Sequence, residues 1–193
     1  MALMDWIGET ATTVLEGRGV SLRHPRAADF AEWSQLRAAS RDHLQPWEPL
    51  WPHDDLTRTA FRRRLTAYQR EIELGHAYPF FIFAGGRLVG GATLSNIRRG
   101  VAETGTVGYW IGHAHAGRGY ATEAVRALAE HAFGALKLHR LEAACLPANI
   151  GSRRVLEKAG FRREGEAKAY LKINGVWADH LLFGLLAEEV SRR

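Results

Sequence analysis

Residues 104–133 constrain the fold most, because they read as a strand, a glycine-rich turn and a helix in direct succession. Thr104–Ile111 is rich in β-branched and aromatic residues, which favours a strand. Gly117 and Gly119 follow, and Arg118–Phe133 carries apolar residues at helical spacing. Small residues at such a turn let backbone N–H groups converge at the start of a helix, where phosphate oxygens bind. The segment therefore predicts an anion-binding turn, although a glycine pair before a helix also occurs in ordinary tight turns.

The remaining periodicity predicts a mixed α/β (α+β) fold, with a mostly antiparallel central sheet flanked by about four helices. The predicted strands are Gly19–Arg23, Tyr78–Ala84, Arg87–Asn96, Thr104–Ile111, Arg140–Cys145, Glu166–Ile173 and Trp177–Leu186. The predicted helices are Ala27–Ala39, Asp54–Leu74, Arg118–Phe133 and Asn149–Lys158. Gly85-Gly86 and Asn174-Gly175 are hairpin turn signals. Residues 1–18 read as an irregular lead-in, and residues 19–193 as one domain.

A segment rich in proline and tryptophan, Arg41–His53, lies between the first two predicted helices. Its three closely spaced prolines predict that it has no regular structure. Trp47, Leu50 and Trp51 make it apolar. Such a loop must pack against the domain or present a rigid aromatic wall to a ligand.

The cysteine and histidine content excludes several classes of protein. Cys145 is the single cysteine, so there is no disulfide framework, and its apolar strand predicts an inert core thiol. The nine histidines show no metal-ligand spacing with it, and we expect no metal. No run approaches 18 apolar residues, and the first eight residues do not resemble a secretory signal. We therefore expect a cytoplasmic protein with no membrane partner.

The net charge is +5, and most of the 26 basic residues are arginines, whose planar forks suit phosphates and carboxylates. Genomic composition bias, an anionic ligand and a nucleic-acid surface all account for such an excess. Arginines at 58, 62, 63, 64 and 70 lie off the apolar stripe of the predicted helix Asp54–Leu74. A solvated face is the favoured interpretation of this run, and RNA contact the minority one.

GRGYATEAV (Gly117–Val125) followed by NIGSRRVLEKAGF (Asn149–Phe161) resembles the GNAT N-acetyltransferase superfamily. The first segment is similar to its acetyl-CoA pyrophosphate loop, and the second to a helix of the RimJ/RimL ribosomal-protein-alanine N-acetyltransferases. HLQPWEP (His43–Pro49), SNIRRG (Ser95–Gly100) and AKAYLKINGVWADHLL (Ala167–Leu182) resemble the RimJ branch in particular. The resemblance covers most of the chain from Gly19 and implies the acyl-CoA N-acyltransferase fold.

The resemblance also implies where acetyl-CoA binds. The strand ending at Trp110 and Ile111 would diverge from the strand Arg140–Cys145, and a main-chain N–H of the first would stabilise the oxyanion. Ala116 replaces the Gln or Arg that often opens the family loop, a tolerable change because main-chain amides make the contacts. Arg98, Arg99 and Arg153 are expected near the site. The implied cofactor-binding residues are Trp110, Ile111, Ala116, Gly117, Arg118, Gly119, Tyr120, Ala121, Thr122, Asn149, Ser152 and Arg154.

Candidates for acid, base and acceptor contacts remain open at this stage. Some relatives place a proton-donating tyrosine at the position of Leu156, so Ser152 is the family-supported acid and Tyr170 its competitor. Asn149 and Ser152 also fit plain helix capping. The base candidates are Glu103, Glu48, the weaker Asp179, or a water relay. The predicted acceptor contacts are Trp47, Glu48, Trp51 and Asp179.

The leading functional prediction is direct acetyl transfer, in a ternary complex, to the N-terminal α-amine of a ribosomal or other protein. An α-amine has a pKa of roughly 8, so part of it is already neutral at pH 7, whereas a lysine side chain needs a far stronger base. The alternatives are a small amine such as an antibiotic or polyamine, which Asp42, Glu48, Glu103 and Asp179 could attract, and a non-enzymatic RNA or ribosome binder. We expect a monomer or homodimer without direct nucleic-acid contact.

Overall fold

Eight strands form one sheet in the computed structural model, which describes residues 13–190. The strands are β1 (Val14–Gly17), β2 (Val20–Arg23), β3 (Tyr78–Ala84), β4 (Arg87–Arg98), β5 (Thr104–Ile111), β6 (Arg140–Cys145), β7 (Arg162–Ile173) and β8 (Val176–Leu186). The helices are α1 (Phe30–Ala39), α2 (Arg41–Leu44), α3 (Arg58–Glu73), α4 (Tyr120–Gly134), α5 (Ile150–Ala159) and α6 (Ala187–Val190). Among these residues, no helix has the length and apolar character needed to span a membrane.

The sheet order is β1-β2-β3-β4-β5-β6-β8-β7, and every neighbouring pair is antiparallel except β5 and β6. Four of the described helices have ten or more residues: α1, α3, α4 and α5. The mixed, mostly antiparallel fold with about four flanking helices is therefore confirmed. Both predicted hairpins are also present, at Gly85-Gly86 and Asn174-Gly175.

Two predictions about irregular segments were wrong. Val14–Gly17 of the expected lead-in pairs with β2, while residues 1–12 lie outside the described part of the chain. In the proline- and tryptophan-rich segment, Arg41–Leu44 is helical and Gln45–Trp47 forms a 3-10 turn. The first proline of that segment occupies the start of the turn, where a missing N–H costs no hydrogen bond.

Both faces of the sheet are covered, because alternate strand residues point in opposite directions. Phe80 and Ile82 of β3 join the larger core under α4 and α5. Phe81, between them, packs on the other face with Trp33 and Phe61 from α1 and α3. Two apolar layers thus sandwich the sheet and hold its strands in register.

The parallel pair β5 and β6 diverges after only three residue pairs. Thr104–Thr106 pairs with Arg140–Glu142, and the ladder stops there. Beyond this point β5 remains paired with β4 as far as Ile111, and β6 with β8 as far as Cys145. The two strands are drawn toward opposite halves of the sheet, which opens a wedge-shaped gap at its centre.

The close approach of β4 to β5 beside this gap can be tested at Gly90. A Cβ added at Gly90 would collide with the backbone carbonyl of Trp110 and would lie 2.8 Å from Ile111 Cδ1. We expect Gly90→Ala to destabilise the fold by about 2 kcal/mol, because backbone atoms cannot move aside cheaply. Gly165→Ala is the matched control, since a Cβ there meets nothing within 4 Å. Urea unfolding measures both, and equal midpoints would contradict the close-approach explanation.

Candidate active site

A cavity of about 840 Å³ occupies the gap between β5 and β6. Such a volume falls in the range of small-molecule and cofactor sites. It is lined by His43, Leu44, Trp47, Glu48 and Pro49, by Val107–Ile111 of β5, by His115–Thr122, by Ala143–Leu146, by Asn149, Gly151, Ser152, Arg154, Val155, Leu156 and Lys158, by Leu171–Ile173 of β7 and by His180 of β8. All twelve residues implied as cofactor contacts therefore lie around one cavity.

The glycine turn has the predicted anion-binding geometry. Gly117 and Gly119 have φ angles of 76° and 83°, which favour glycine over other residues. Gly119 is the N-cap of α4 and supplies no side-chain cap, and the first intrahelical bond runs from Glu123 N to Gly119 O at 3.1 Å. The amides of residues 119–122 consequently have no intrahelical acceptor and are free to bind an anion.

Positive charge is concentrated in the cavity wall. Arg118, Arg154, Lys158 and Lys172 line it, and none forms an ion pair with another described residue. Four unpaired cations beside an amide-lined turn suit a ligand with several phosphate groups. Lys158 and Lys172 were not among the predicted contacts.

Three other arginines do not line the cavity, which corrects the expectation that they approach the site. Arg98 pairs with Glu142 and Arg99 with Glu103. Arg153 is also absent from the cavity wall, and its Nε is buried without a hydrogen-bond partner in the described chain. Arg98 and Arg99 therefore form ion pairs outside the cavity, and the Nε of Arg153 is buried away from the cavity wall.

The start of α5 brings Ser152 into contact with β5. Asn149 Oδ1 accepts a hydrogen bond from Ser152 N at 2.9 Å and so caps the helix. Ser152 Oγ lies 2.8 Å from Tyr109 Oη, and Tyr109 Oη also donates to the carbonyl oxygen of Ser152 at 3.1 Å. Burial raises the pKa of the Tyr109 phenol, so it stays protonated at neutral pH. Sequence reasoning missed Tyr109, because only the register between β5 and α5 shows its partner.

Cys145 and Leu156 form an apolar part of the cavity wall on the Ser152 side. Both are buried and both line the cavity. Burial raises the pKa of the Cys145 thiol, which leaves it in its unreactive protonated form. The predicted inert thiol is thereby supported, and the leucine offers no proton where some relatives have a tyrosine.

Glu48 lies at the opposite wall, in a network around a buried arginine. Its two carboxylate oxygens each accept a hydrogen bond from Arg37 at 2.8 Å, and Trp51 Nε1 donates to one of them at 2.7 Å. Arg37 is 7% exposed and stacks 4.0 Å from the centre of the Trp51 ring and 5.0 Å from that of Trp110. The carbonyl of Glu48 accepts from Asn174 N at 2.9 Å, which ties the β7–β8 turn to this loop. Glu48 therefore has an evident structural role.

Four predicted site residues lie outside the cavity. Glu103 precedes β5 at the closed end of the gap, where its carbonyl accepts from the amides of residues 139 and 140. Trp110 is seven residues further along the chain, roughly 23 Å away in an extended strand. Trp51 packs behind Glu48. Tyr170 is 48% exposed, and Asp179 accepts from Ala169 N at 2.8 Å across a β7 bulge. On this geometry, the prediction that Glu103 takes part directly in proton transfer is wrong. The prediction that Trp51 and Asp179 contact the acceptor is wrong as well.

Strand alternation divides the cavity into two halves. Tyr109 points toward α5, so its neighbour Trp110 points to the other face, where it meets Arg37. On β8, Leu181 pairs with Cys145 in the core under α4 and α5, and His180 points the opposite way. One half thus contains the glycine turn and Ser152, and the other contains Trp47, Glu48 and His180.

The main-chain pattern of β5 also leaves a donor in the gap. Gly112 N donates to Val89 O at 2.9 Å, so alternation directs the amide of Trp110 toward β4 as well. The amide of Ile111 then points away from β4, into the gap. Of the two predicted oxyanion donors, the register supports Ile111.

Comparison with known proteins gives a consistent result. A family model described as the acetyltransferase (GNAT) domain matches residues 20–162. The chain is 41% identical over 175 residues to the probable N-acetyltransferase YjcK of Bacillus subtilis, covering 90% of this chain and 97% of the relative. It is 33% identical over 168 residues to the [ribosomal protein uS5]-alanine N-acetyltransferase of Escherichia coli, covering 86% of both chains.

A solved structure shares the fold at similar identity. Mycobacterium smegmatis RimJ, determined in complex with CoA-disulfide, superposes with a TM-score of 0.86 at 38% sequence identity, covering 92% of this chain and 88% of that one. The chain belongs to the GNAT family of acetyl-CoA-dependent N-acetyltransferases, and its homologues include the ribosomal-protein-alanine N-acetyltransferases.

Proposed function

We propose that this enzyme acetylates the N-terminal α-amine of a protein, with a ribosomal protein as the acceptor, by direct transfer in a ternary complex. The observation that carries the proposal is the apolar acceptor half of the cavity, walled by Trp47, Pro49, Leu171 and Ile173. Relatives that act on ribosomal-protein N-termini support the choice. The expected cytoplasmic location goes with it, because ribosomal proteins are made there.

The other half fits acetyl-CoA. The free amides of the glycine turn and the side chain of Arg118 would hold the pyrophosphate, and Arg154, Lys158 and Lys172 would face the remaining phosphate. Asn149 would orient the pantetheine arm through the part of its amide not used in capping. Bound acetyl-CoA supplies the acetyl thioester.

Two groups of the chain would serve the chemistry on that side. The amide of Ile111 would donate to the oxygen on which negative charge develops. The Ser152 hydroxyl would turn its hydrogen from Tyr109 Oη to the departing sulfur. Tyr109 Oη donates to the Ser152 carbonyl and lies 2.8 Å from Ser152 Oγ, so Tyr109 would position that hydroxyl and not act as an acid itself.

The cavity gives little support to a polycationic acceptor. Of the acids considered for such a cleft, only Glu48 lines the cavity, and it is also the only carboxylate of the described residues that does so. Its charge is balanced by Arg37. An apolar wall with no uncompensated carboxylate favours an acceptor that enters as a neutral amine.

The arginine-rich face of α3 also gives limited support to RNA binding. Arg63 and Arg64 pair with Asp54 and Asp55, and Arg58 stacks 4.4 Å from the centre of the Phe30 ring. These contacts use part of the charge that a phosphate backbone would need. A salt-sensitive RNA affinity that persists after disruption of the glycine turn would revive this alternative.

The acceptor class can be tested with labelled acetyl-CoA and a matched peptide panel. We expect label on peptides with a free N-terminal alanine or serine, and none on the same peptides with a blocked N-terminus, on lysine side chains or on polyamines. Mass spectrometry locates the label. Labelling confined to small amines would refute the proposal.

The proton-donor arrangement can be tested with Ser152→Ala and Tyr109→Phe. We expect Ser152→Ala to lower kcat by about 100-fold with little change in the KM for acetyl-CoA, since the lost donor acts on the departing sulfur. Tyr109→Phe should lower kcat by a smaller factor, because the serine hydroxyl remains but its hydrogen is no longer oriented. Steady-state kinetics measures both effects, and unchanged kcat in both variants would remove these roles.

A structural role for Glu48 predicts a loss of stability. Glu48→Gln leaves the buried Arg37 without its counter-charge, and we expect about 3 kcal/mol less stability in urea unfolding. Adding Arg37→Met should restore much of the loss, because the buried charge is then gone as well. Glu166→Gln, which breaks an exposed pair with Arg163, is the control and should cost less than about 1 kcal/mol. A Glu48→Gln protein of wild-type stability with abolished kcat would instead identify Glu48 as the base.

A further inference from the structure

His180 is a titratable side chain of the cavity that no motif singles out. It is 3% exposed, lies on β8 and lines the cavity from the acceptor half. Its strand neighbour Leu181 packs in the core on the other face, beside Cys145. The imidazole is therefore separated by the sheet from the Ser152 side and faces the side from which an acceptor amine would enter.

A hydrogen bond determines which nitrogen of the ring can accept a proton. His180 Nδ1 lies 2.9 Å from the carbonyl oxygen of Ala178. A carbonyl only accepts, so Nδ1 carries a proton and, in the neutral ring, Nε2 has the lone pair. Nε2 has no hydrogen-bond partner among residues 13–190, and the Tyr170 ring packs edge-on 5.8 Å from the imidazole and holds its orientation.

The other titratable groups around the acceptor half are less suited to take a proton. Glu48 uses both oxygens for Arg37 and Trp51. The His43 ring packs at a tilt against the His113 ring. Burial, and after it the charge of His113, lowers the pKa of His43.

Four further titratable groups, a cation, a thiol and two phenols, are also unsuited to take the proton. Lys172 is a cation without an acceptor atom. Across the sheet, burial keeps the Cys145 thiol and the Tyr109 phenol protonated by raising each pKa. Tyr170 is largely exposed and does not line the cavity.

We propose that His180 Nε2 accepts the proton that the acceptor amine loses, which makes His180 a catalytic residue of the acetyl transfer. The amine nitrogen uses its lone pair to form the C–N bond to the acetyl carbon, and one N–H proton passes to Nε2. The C–S bond breaks with its electron pair on sulfur, and the sulfur takes a proton from the Ser152 hydroxyl, which regains one from solvent while the imidazolium returns one to solvent. No oxidant or reductant is involved, and the proposal rests on the proposed function for its acceptor.

The first test examines the unliganded protein. Long-range ¹H–¹⁵N NMR spectra, with the His180 ring assigned by comparison with a His180→Asn protein, should show that the neutral form of the ring carries its proton on Nδ1 and none on Nε2. A neutral ring protonated at Nε2 would overturn the proposal, because that nitrogen could then accept nothing.

The second test separates proton transfer from structure. His180→Asn keeps an amide N–H that can donate to Ala178, and His180→Gln replaces the ring with a side chain that is no base. Both should lower kcat by about 100-fold or more, leave the calorimetric Kd for CoA unchanged, and remove the limb of the kcat–pH profile that the imidazole produces. Wild-type kcat and pH profile in a folded His180→Asn protein would overturn the proposal.

His24→Gln is the matched control. His24 Nδ1 lies 2.7 Å from the carbonyl oxygen of Pro79, so this ring makes the same kind of bond outside the cavity. We expect this variant to keep wild-type kcat and pH profile even where its stability falls. If wild-type protein acetylates no N-terminal peptide, the proposed acceptor fails on its own, and the His180 comparison is made on whichever amine of the panel it does acetylate.

Discussion

The short parallel ladder between β5 and β6 is the constraint on which the site depends. Only three residue pairs join the two strands, and each strand then follows its antiparallel partner on the outer side. Antiparallel pairing with β4 and β8 is slightly more stable per residue than parallel pairing, so the sheet opens at its one parallel seam. The gap gives access to main-chain donors in the middle of a sheet, where they would otherwise be used for strand pairing.

The Arg37–Glu48 pair supports this arrangement from the acceptor side. Arg37 comes from α1, and its planar group stacks on Trp110 at the end of β5 and on Trp51. Through Glu48 the same network reaches the loop before α3 and the turn between β7 and β8. The buried Arg37 and its partner Glu48 thus link α1 and the proline-rich loop to the end of β5 and to the β7–β8 turn. These contacts explain why a loop with three prolines has a defined position beside the cavity.

The sequence was informative wherever one local pattern determines a structure. Gly117 and Gly119 predicted the anion-binding turn because few other residues adopt its backbone angles, and strand periodicity identified seven of the eight described strands. β1 was missed because four residues carry too little pattern. Glu103 was misplaced because position along a strand shows neither which end of β5 is sealed nor where the cavity lies. The sequence did not show the roles of Tyr109, Lys158 and His180. These roles depend on contacts between strands and helices that are distant in sequence, and only the folded structure shows those contacts.

The charge distribution links the two halves of the cavity to the choice of acceptor. The unpaired cations Arg118, Arg154, Lys158 and Lys172 would be balanced by the phosphates of bound CoA. Glu48 is balanced by Arg37, so the acceptor half carries no free negative charge to retain an ammonium ion. Burial in such surroundings favours the neutral form of an amine. An α-amine reaches that form far more readily near pH 7 than a lysine side chain, because its pKa is lower by roughly 2.5 units. The basic net charge of the chain therefore bears on cofactor binding, and under the proposed function the acceptor would be selected by how easily its amine gives up a proton.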